Sequence, residues 1–295
     1  MPTISGQELY LWRKQAINLA KAHQVSDKEV DWLLQEVAGL DSLSLRLESF
    51  QHRQQIVLTK SLPELTRLWQ QRLQERLPIQ YLLETAFWRR FKLTVAPGVL
   101  IPRPETELII DLAVAAAKKN IKSIDCWVDL GTGSGAIALG LAANFPDATI
   151  YAVDCSSVAL AIAKQNAYNL DLETRIKFYQ GNWWSPLDFL LGKVGAMISN
   201  PPYIPTSQLS QLQPEVVKHE PHLALDGGSD GLDHIRHLAQ VAPDYLVSGG
   251  IWLVEMMAGQ AEMVEKILQE QGKYRDIQIF SDFAGIQRFA LAYRF

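Results

Sequence analysis

Three features of the sequence predict an α/β fold in which a mostly parallel sheet, closed by an antiparallel end pair, follows a small helical bundle. Apolar strand-like segments alternate with helix-like ones beyond residue 125, a glycine-rich turn joins the first of those strands to a helix, and residues before 80 show helical spacing. The charge distribution agrees with two bodies: residues 1–90 carry 12 Lys and Arg against 10 Asp and Glu, whereas residues 91–295 carry 16 against 22. The second stretch therefore has a net charge of −6 and the first of +2.

Each element has a local reason. Leu9, Trp12, Ala16, Leu19 and Ala20 recur at three and four residues, as do Leu62, Leu65, Leu68, Trp69, Leu73 and Leu77. Between these helices, Ser26 and Glu29 predict a capping box that opens a helix through Val30, Leu33, Leu34 and Val37, with Gly39 as its stop. Pro78 restricts Leu77 and lacks an amide donor, so the bundle is predicted to end there. Phe87, Phe91, Leu93 and Val95 are spaced for a hairpin, after which Pro97, Gly98, Pro102 and Pro104 make a stiff connector. Strands follow at Cys126–Leu130, Thr149–Asp154, Ile176–Tyr179, Ala196–Ser199 and Ile251–Glu255, with helices over Ala136–Phe145, Val158–Asn169 and Leu232–Leu246. Arg275–Phe280 and Gln287–Arg294 predict the closing antiparallel pair.

Composition narrows the function. A chain of 295 residues, 48% hydrophobic and 20% charged, is that of a globular protein with a sizeable core, and a net charge of −4 excludes a general polyanion binder. Its apolar runs fall well short of the roughly 20 residues that cross a bilayer, and the start has no apolar run before a cleavage site. The two cysteines, Cys126 and Cys155, lie in strand-like segments and suit buried thiols in a reducing compartment. A cytoplasmic protein is expected.

The turn Gly131-Thr132-Gly133-Ser134-Gly135 marks a ligand site, since glycines let a ligand press against main chain where a Cβ would collide, and the carboxyl ends of such strands are where ligands bind. The turn also satisfies the dinucleotide pattern G-x-G-x-x-G/A through Gly131, Gly133 and Ala136, so it does not distinguish nucleotide-like ligands. Asp154, ending the second strand, can accept two hydrogen bonds from a ribose diol, of NAD or of S-adenosylmethionine alike; a plain helix cap is its alternative. Asn182 and Trp183, after the third strand, offer a polar edge and an aromatic face to an adenine ring, although a tryptophan pair also suits a core.

The reaction is indicated by Asn200-Pro201-Pro202-Tyr203, placed after the fourth strand and so on the same sheet edge. An amide or aromatic amine nitrogen is a poor nucleophile because its lone pair is delocalised. The Asn200 oxygen and the Pro201 carbonyl can each accept one N–H of a planar NH2 group and aim the nitrogen at an electrophilic methyl. The prolines stiffen the loop without competing donors, and Tyr203 can cover the flat face of the acceptor group. No metal is required. His219 with His222, and His234 with His237, are spaced three apart without the further ligands a metal site needs. Glu255, at a strand end, either borders the pocket or simply faces solvent, the commoner fate of such a carboxylate, and Arg103 and Glu107 either approach the substrate or fasten the connector to the sheet.

These motifs, with Leu100-Ile-Pro-Arg-Pro-Glu-Thr-Glu107 before them and Gln80–Trp88 further upstream, closely resemble the peptide chain release factor glutamine methyltransferases, the PrmC/HemK family, over nearly the whole chain. NPPY alone also occurs in enzymes that methylate adenine in DNA or guanine in RNA; the IPRPETE segment, together with a helical N-terminal domain of this length and the Gln80–Trp88 run, separates this family from them. The resemblance implies a helical domain over 1–85 that docks the substrate protein, a hairpin and connector over 86–105, and a Rossmann-like S-adenosylmethionine-dependent methyltransferase domain over 106–295. It implies methylation of the side-chain amide of glutamine in the Gly-Gly-Gln motif of bacterial-type release factors, leaving S-adenosylhomocysteine. A nucleic-acid amino-methyltransferase is the alternative. By position, Gly131, Thr132, Gly133, Ser134 and Gly135 would line the methionine part of the donor, Asp154 the ribose, and Asn182 and Trp183 the adenine. Asn200 would touch donor and substrate; Pro201, Pro202, Tyr203 and Arg103 would shape the substrate pocket. Many relatives carry Asp where this chain has Asn182, which keeps the capacity to donate or accept. A monomer that binds neither nucleic acid nor membrane is expected.

Overall fold

A computed structural model describes residues 1–119 and 125–295. The chain forms two compact units, one of Met1–Thr85 with Pro214–His219, the other of Ala86–Gln213 with Glu220–Phe295.

The first unit contains β1 (Thr3–Ile4), α1 (Gly6–Ala22), α2 (Lys28–Ala38), α3 (Ser42–Arg46), β2 (Ile56–Val57), α4 (Leu62–Gln74) and α5 (Ile79–Leu83). Leu9, Trp12, Ala16 and Ala20 of α1 bury against Leu33, Leu34 and Val37 of α2 and Leu65, Trp69 and Leu73 of α4, as their spacing predicts, whereas Leu19 lies outside this core. Two indole N–H groups stitch α1 to α4: Trp12 donates to the Thr66 hydroxyl at 2.9 Å and Trp69 to the Ala16 carbonyl at 3.2 Å. Gly39 ends α2 in the left-handed conformation expected of it. The predicted box at Ser26 does not form, because the Glu29 carboxylate is taken by the buried Arg72 guanidinium. Capping boxes form instead at Ser5 with Glu8 and at Ser61 with Glu64. Pro78 opens α5 rather than ending the bundle, because proline is well placed at the start of a helix, where its missing N–H is not needed.

The second unit opens at Ala86, one residue into the first of the hairpin strands β3 (Thr85–Trp88) and β4 (Phe91–Thr94), which α6 (Leu108–Lys119) follows. Next come β5 (Cys126–Leu130), α7 (Ala136–Asn144), β6 (Thr149–Asp154), α8 (Ser157–Asn169), β7 (Ile176–Gln180) and β8 (Val194–Ser199). After α9 (Pro214–His219), which belongs to the first unit, the chain forms α10 (Asp233–Tyr245), β9 (Leu246–Glu255), α11 (Ala261–Gln271), β10 (Tyr274–Ser281) and β11 (Gln287–Arg294). Among the described residues the main sheet has seven strands in the order β10-β11-β9-β8-β5-β6-β7, parallel except for β11, which runs antiparallel to β9 and β10. Alternate residues enter opposite cores. Trp127 and Ile198 pack with Ile109, Ile110 and Leu139 on one face; Val128 and Met197 pack with Leu238 and Val264 on the other. This is the α/β architecture expected of the sequence, with its closing antiparallel pair. Strand order reverses at β5, whose neighbours are β6 and β8, so the loops after these three strands converge at a switch point. The thiols differ from expectation: Cys126 is half-buried and Cys155 exposed, because Cys155 stands one residue beyond the end of β6.

Candidate active site

Register brings the motifs together. Leu130 pairs with Val153 on one side and Ser199 on the other, so Gly131, Asp154 and Asn200 are the next residues of three adjacent strands or their loops. The Ser199 hydroxyl donates to the Leu130 carbonyl at 2.6 Å and locks β8 to β5 where both end.

The glycine turn is hung on β6. The amides of Gly131 and Thr132 both donate to the Val153 carbonyl at 2.9 Å, and the Gly133 amide donates to Asp154 Oδ2 at 2.9 Å. Gly131, Gly133 and Gly135 have φ of +77°, +55° and +86°, a region that side chains disfavour. Their reasons differ. Gly131 and Gly133 line a cavity, whereas a Cβ on Gly135 would sit 3.1 Å from that of Ala163, so this glycine serves the close packing of the turn on α8. Thr132 and Ser134 are buried outside the lining of the cavity. The Thr132 hydroxyl donates to Asp129 Oδ2 at 2.6 Å, beneath the turn. Burial pushes the Asp129 carboxyl up to about 7, against the hydrogen bonds from Thr132 and Ala138.

Asp154 lines the cavity, with Oδ1 accepting from the Ser156 amide and Oδ2 from Gly133. Ser156, not Asp154, caps α8, through the Ala159 amide. Burial raises the Asp154 carboxyl pKa, and hydrogen bonds from the backbone of Ser156, Gly133 and Cys155 and from the Cys155 thiol oppose the rise. The tryptophan pair divides: Trp184 is core, stacked on Tyr245 at 4.3 Å, while Trp183 lines the cavity at φ +52°, its ring 5.2 Å from that of His234. Asn182 is exposed at the rim.

Asn200 and Pro202 line the same cavity; Pro201 is buried and Tyr203 half-buried, neither in the lining. Asn200 Nδ2 donates to Thr106 Oγ1 at 3.2 Å, and the Tyr203 hydroxyl donates to Glu255 Oε1 at 3.1 Å. The loop is braced from behind, where Gln260 Nε2 donates to the carbonyls of Tyr203 and Gly231. Glu255 departs from expectation: it is 1% exposed, because β11 covers the end of β9 and pairs Phe289 with it. Burial pushes its carboxyl up to about 7, opposed by hydrogen bonds from Thr106 and Tyr203 and by the Arg288 charge. Arg103 is not in the lining; it pairs at 2.7 Å with the buried Glu220, whose other oxygen accepts the Ile101 amide.

Gly98, Val99, Leu100, Cys155, Leu223 and His234 also face the cavity and were not anticipated. His234 stands near the start of α10 and the others in irregular segments, Leu100 at the head of the IPRPETE run, and neither setting marks a cavity wall in the sequence. The arrangement can cradle an adenosine between Trp183 and Asp154 and, beyond Asn182 at the rim, presents the Asn200 amide to whatever lies beside it.

The Methyltransferase small domain family matches residues 110–229. The chain is 53% identical over 291 residues to a release factor glutamine methyltransferase of Synechocystis sp., covering 98% of this chain and 97% of that one. It is 45% identical to the protein of that name from Thermosynechococcus vestitus, covering 98% and 99%. Among solved structures, the hMettl16 catalytic domain in complex with a MAT2A 3'UTR hairpin superposes with a TM-score of 0.54 at 16% identity over 81% of this chain and 84% of that one, a likeness of fold alone. With such identity along nearly its whole length, the chain belongs to the release factor glutamine methyltransferase family.

Proposed function

We propose that the protein transfers a methyl group from S-adenosylmethionine to the side-chain amide nitrogen of the glutamine in the Gly-Gly-Gln motif of bacterial-type release factors, acting as a cytoplasmic monomer. The observation that carries this reading is the convergence of Gly131, Gly133, Asp154, Trp183, Asn200 and Pro202 on one cavity at the switch point of the sheet.

The residues fit the donor. Gly133 has nothing within 4 Å of where a Cβ would stand, and the Asp154 carboxylate borders the cavity as the acceptor for the ribose hydroxyls. Trp183 and His234 present ring surfaces to the adenine, and Gly131 and Gly133 leave room for the methionine part. Bound there, S-adenosylmethionine supplies an electrophilic methyl on sulfur. The protein's part is capture and aim. Asn200 Oδ1, left free because Nδ2 is turned to Thr106, accepts one N–H of the glutamine amide, and the Pro201 carbonyl accepts the other. Two acceptors in the plane of the NH2 group hold its lone pair toward the methyl, and such positioning supplies several kcal/mol of barrier reduction, of the roughly 7–11 kcal/mol that ideal alignment can yield. The nitrogen would gain the methyl as its bond to sulfur breaks, S-adenosylhomocysteine leaving as the neutral thioether, and would shed one proton to solvent. Tyr203, fixed on Glu255, backs the loop, and the helical first unit is the docking domain for the release factor.

Labelled donor offered with a release factor, with the same factor carrying Ala in place of the Gly-Gly-Gln glutamine, and with nucleic acid tests the reading. Label in the first alone supports it; label in nucleic acid, or undiminished label in the Ala variant, overturns it.

A further inference from the structure

Glu255 is a buried carboxyl with no part in the capture just described, yet both polar side chains of the Asn200–Tyr203 loop lead to it. Tyr203 donates to its Oε1 directly, at 3.1 Å. Asn200 reaches it through Thr106, whose hydroxyl hydrogen-bonds the Glu255 carboxyl and whose oxygen accepts from Asn200 Nδ2 at 3.2 Å. Thr106 is itself only 4% exposed, so water does not offer its hydroxyl an easy substitute partner.

We infer that Glu255 is a positioning residue for methyl transfer, which through Thr106 fixes which end of the Asn200 amide faces the substrate. The inference rests on the methyl-transfer reading above. Its argument is one of proton count. A hydroxyl has a single proton. Glu255 Oε1 is an acceptor, taking the Tyr203 proton, while Oε2 has no partner among the described residues, so the Thr106 proton is committed to Oε1 and the Thr106 oxygen can only accept from Asn200. That turns the Nδ2 end of Asn200 inward and leaves Oδ1 for the cavity that the residue lines. The two ends of a carboxamide have nearly the same shape, so packing alone discriminates poorly between them. The wrong end would present a donor to the N–H of the substrate amide and repel it. Tyr203, tied to the same oxygen, keeps the loop in register with this relay, and Gln260 holds the Tyr203 carbonyl on the other side.

The test is steady-state methylation of a release factor by the full-length chain and its variants Glu255→Gln, Thr106→Val, Thr106→Ser and the Thr106→Val/Glu255→Gln double. Glutamine supplies a donor where the relay needs an acceptor, valine breaks the relay at constant shape, and serine restores it. We expect Glu255→Gln and Thr106→Val each to lower kcat about tenfold or more with KM for donor and release factor changed by less than about threefold, an orientation defect rather than a binding one. Thr106→Ser should recover kcat to within about threefold of wild type, and the double variant should be no slower than the slower single. Single variants with wild-type kcat, a serine variant as slow as the valine one, or losses that multiply in the double would overturn the inference. Should Glu255→Gln fail to fold, the valine and serine pair, which leaves the carboxyl in place, decides on its own. A wild-type chain that does not methylate the release factor at all refutes the functional reading instead, so the two failures are told apart.

Discussion

At the scale of single residues, the chemistry places its largest demand on one carboxamide. Asn200→Ala removes the acceptor that orients the substrate while deleting little packing, since the side chain is only half-buried at the end of a strand. Turnover should fall by roughly 10²–10³, the loss typical of a single orienting hydrogen-bond partner, with the unfolding midpoint unchanged. Wild-type turnover in that variant would remove Asn200 from the mechanism. For Asp154→Ala, S-adenosylhomocysteine affinity measured by titration calorimetry should weaken about tenfold or more, because a charge-assisted acceptor is lost and the Gly133 amide loses its partner too. Equal affinity would contradict the ribose role. Gly131, Gly133, Asp154, Trp183, Asn200 and Pro202 were readable because each sits in a motif at a strand end, where fold topology fixes its position. His234, near the start of α10, and Leu223 and Cys155, in irregular segments, were not, since nothing local marks which of their faces closes the cavity. Glu255 was misplaced for the same reason: burial of a strand end depends on a partner strand more than thirty residues later, paired through Phe289.

At the scale of elements, periodicity and caps explain what was legible. Alternation and glycine punctuation located the strands of the sheet, and the helices whose apolar residues recur on one face were equally plain. Helix α6 gave no such signal: Leu108–Lys119 is apolar over most of its length, with Ile109, Ile110, Ala113 and Ala116 buried, so its pattern does not separate helix from buried strand. Caps were harder, because the same tetrad of serine, two residues and glutamate occurs where it is used and where it is not. At Ser61 the Glu64 carboxylate accepts from the Ser61 amide at 2.7 Å; at Ser26 the corresponding Glu29 is engaged by Arg72. Ser61→Ala should therefore destabilise the protein by about 1 kcal/mol in denaturant unfolding. Ser26→Ala should stay within about 0.5 kcal/mol of wild type. Equal losses at the two sites would mean that the tetrad, not the competing guanidinium, governs capping.

At the scale of the whole molecule, distant charges are placed by the fold and then set its stability. Within the first unit, the buried Arg72 is held by Glu29 and, from residue 215, by a carboxylate at 2.9 Å; nothing local in either segment announces that pairing. Glu215→Gln keeps the shape and removes the charge, leaving Arg72 with Glu29 alone, and should cost about 2 kcal/mol, the worth of a hydrogen bond to a charged group. In the sheet unit the balance runs the other way, for Asp129 is fully buried beneath the glycine turn with Oδ1 unpartnered and its carboxyl pushed up to about 7 from 3.8. A carboxyl whose pKa is higher folded than unfolded binds more protons when folded, so it favours the fold at low pH and loses that contribution as pH rises from about 4 to about 7. The shift corresponds to at most about 4 kcal/mol. Asp129→Asn cannot titrate, and its Nδ2 in place of Oδ1 still leaves Oδ2 to accept from Thr132 and Ala138. Measured by denaturant unfolding between pH 4 and pH 8, the stability of wild type relative to Asp129→Asn should therefore decline with rising pH and level off above about 7. A difference that is flat, or that grows in favour of wild type, would show that the carboxylate is better solvated in the fold than its burial implies.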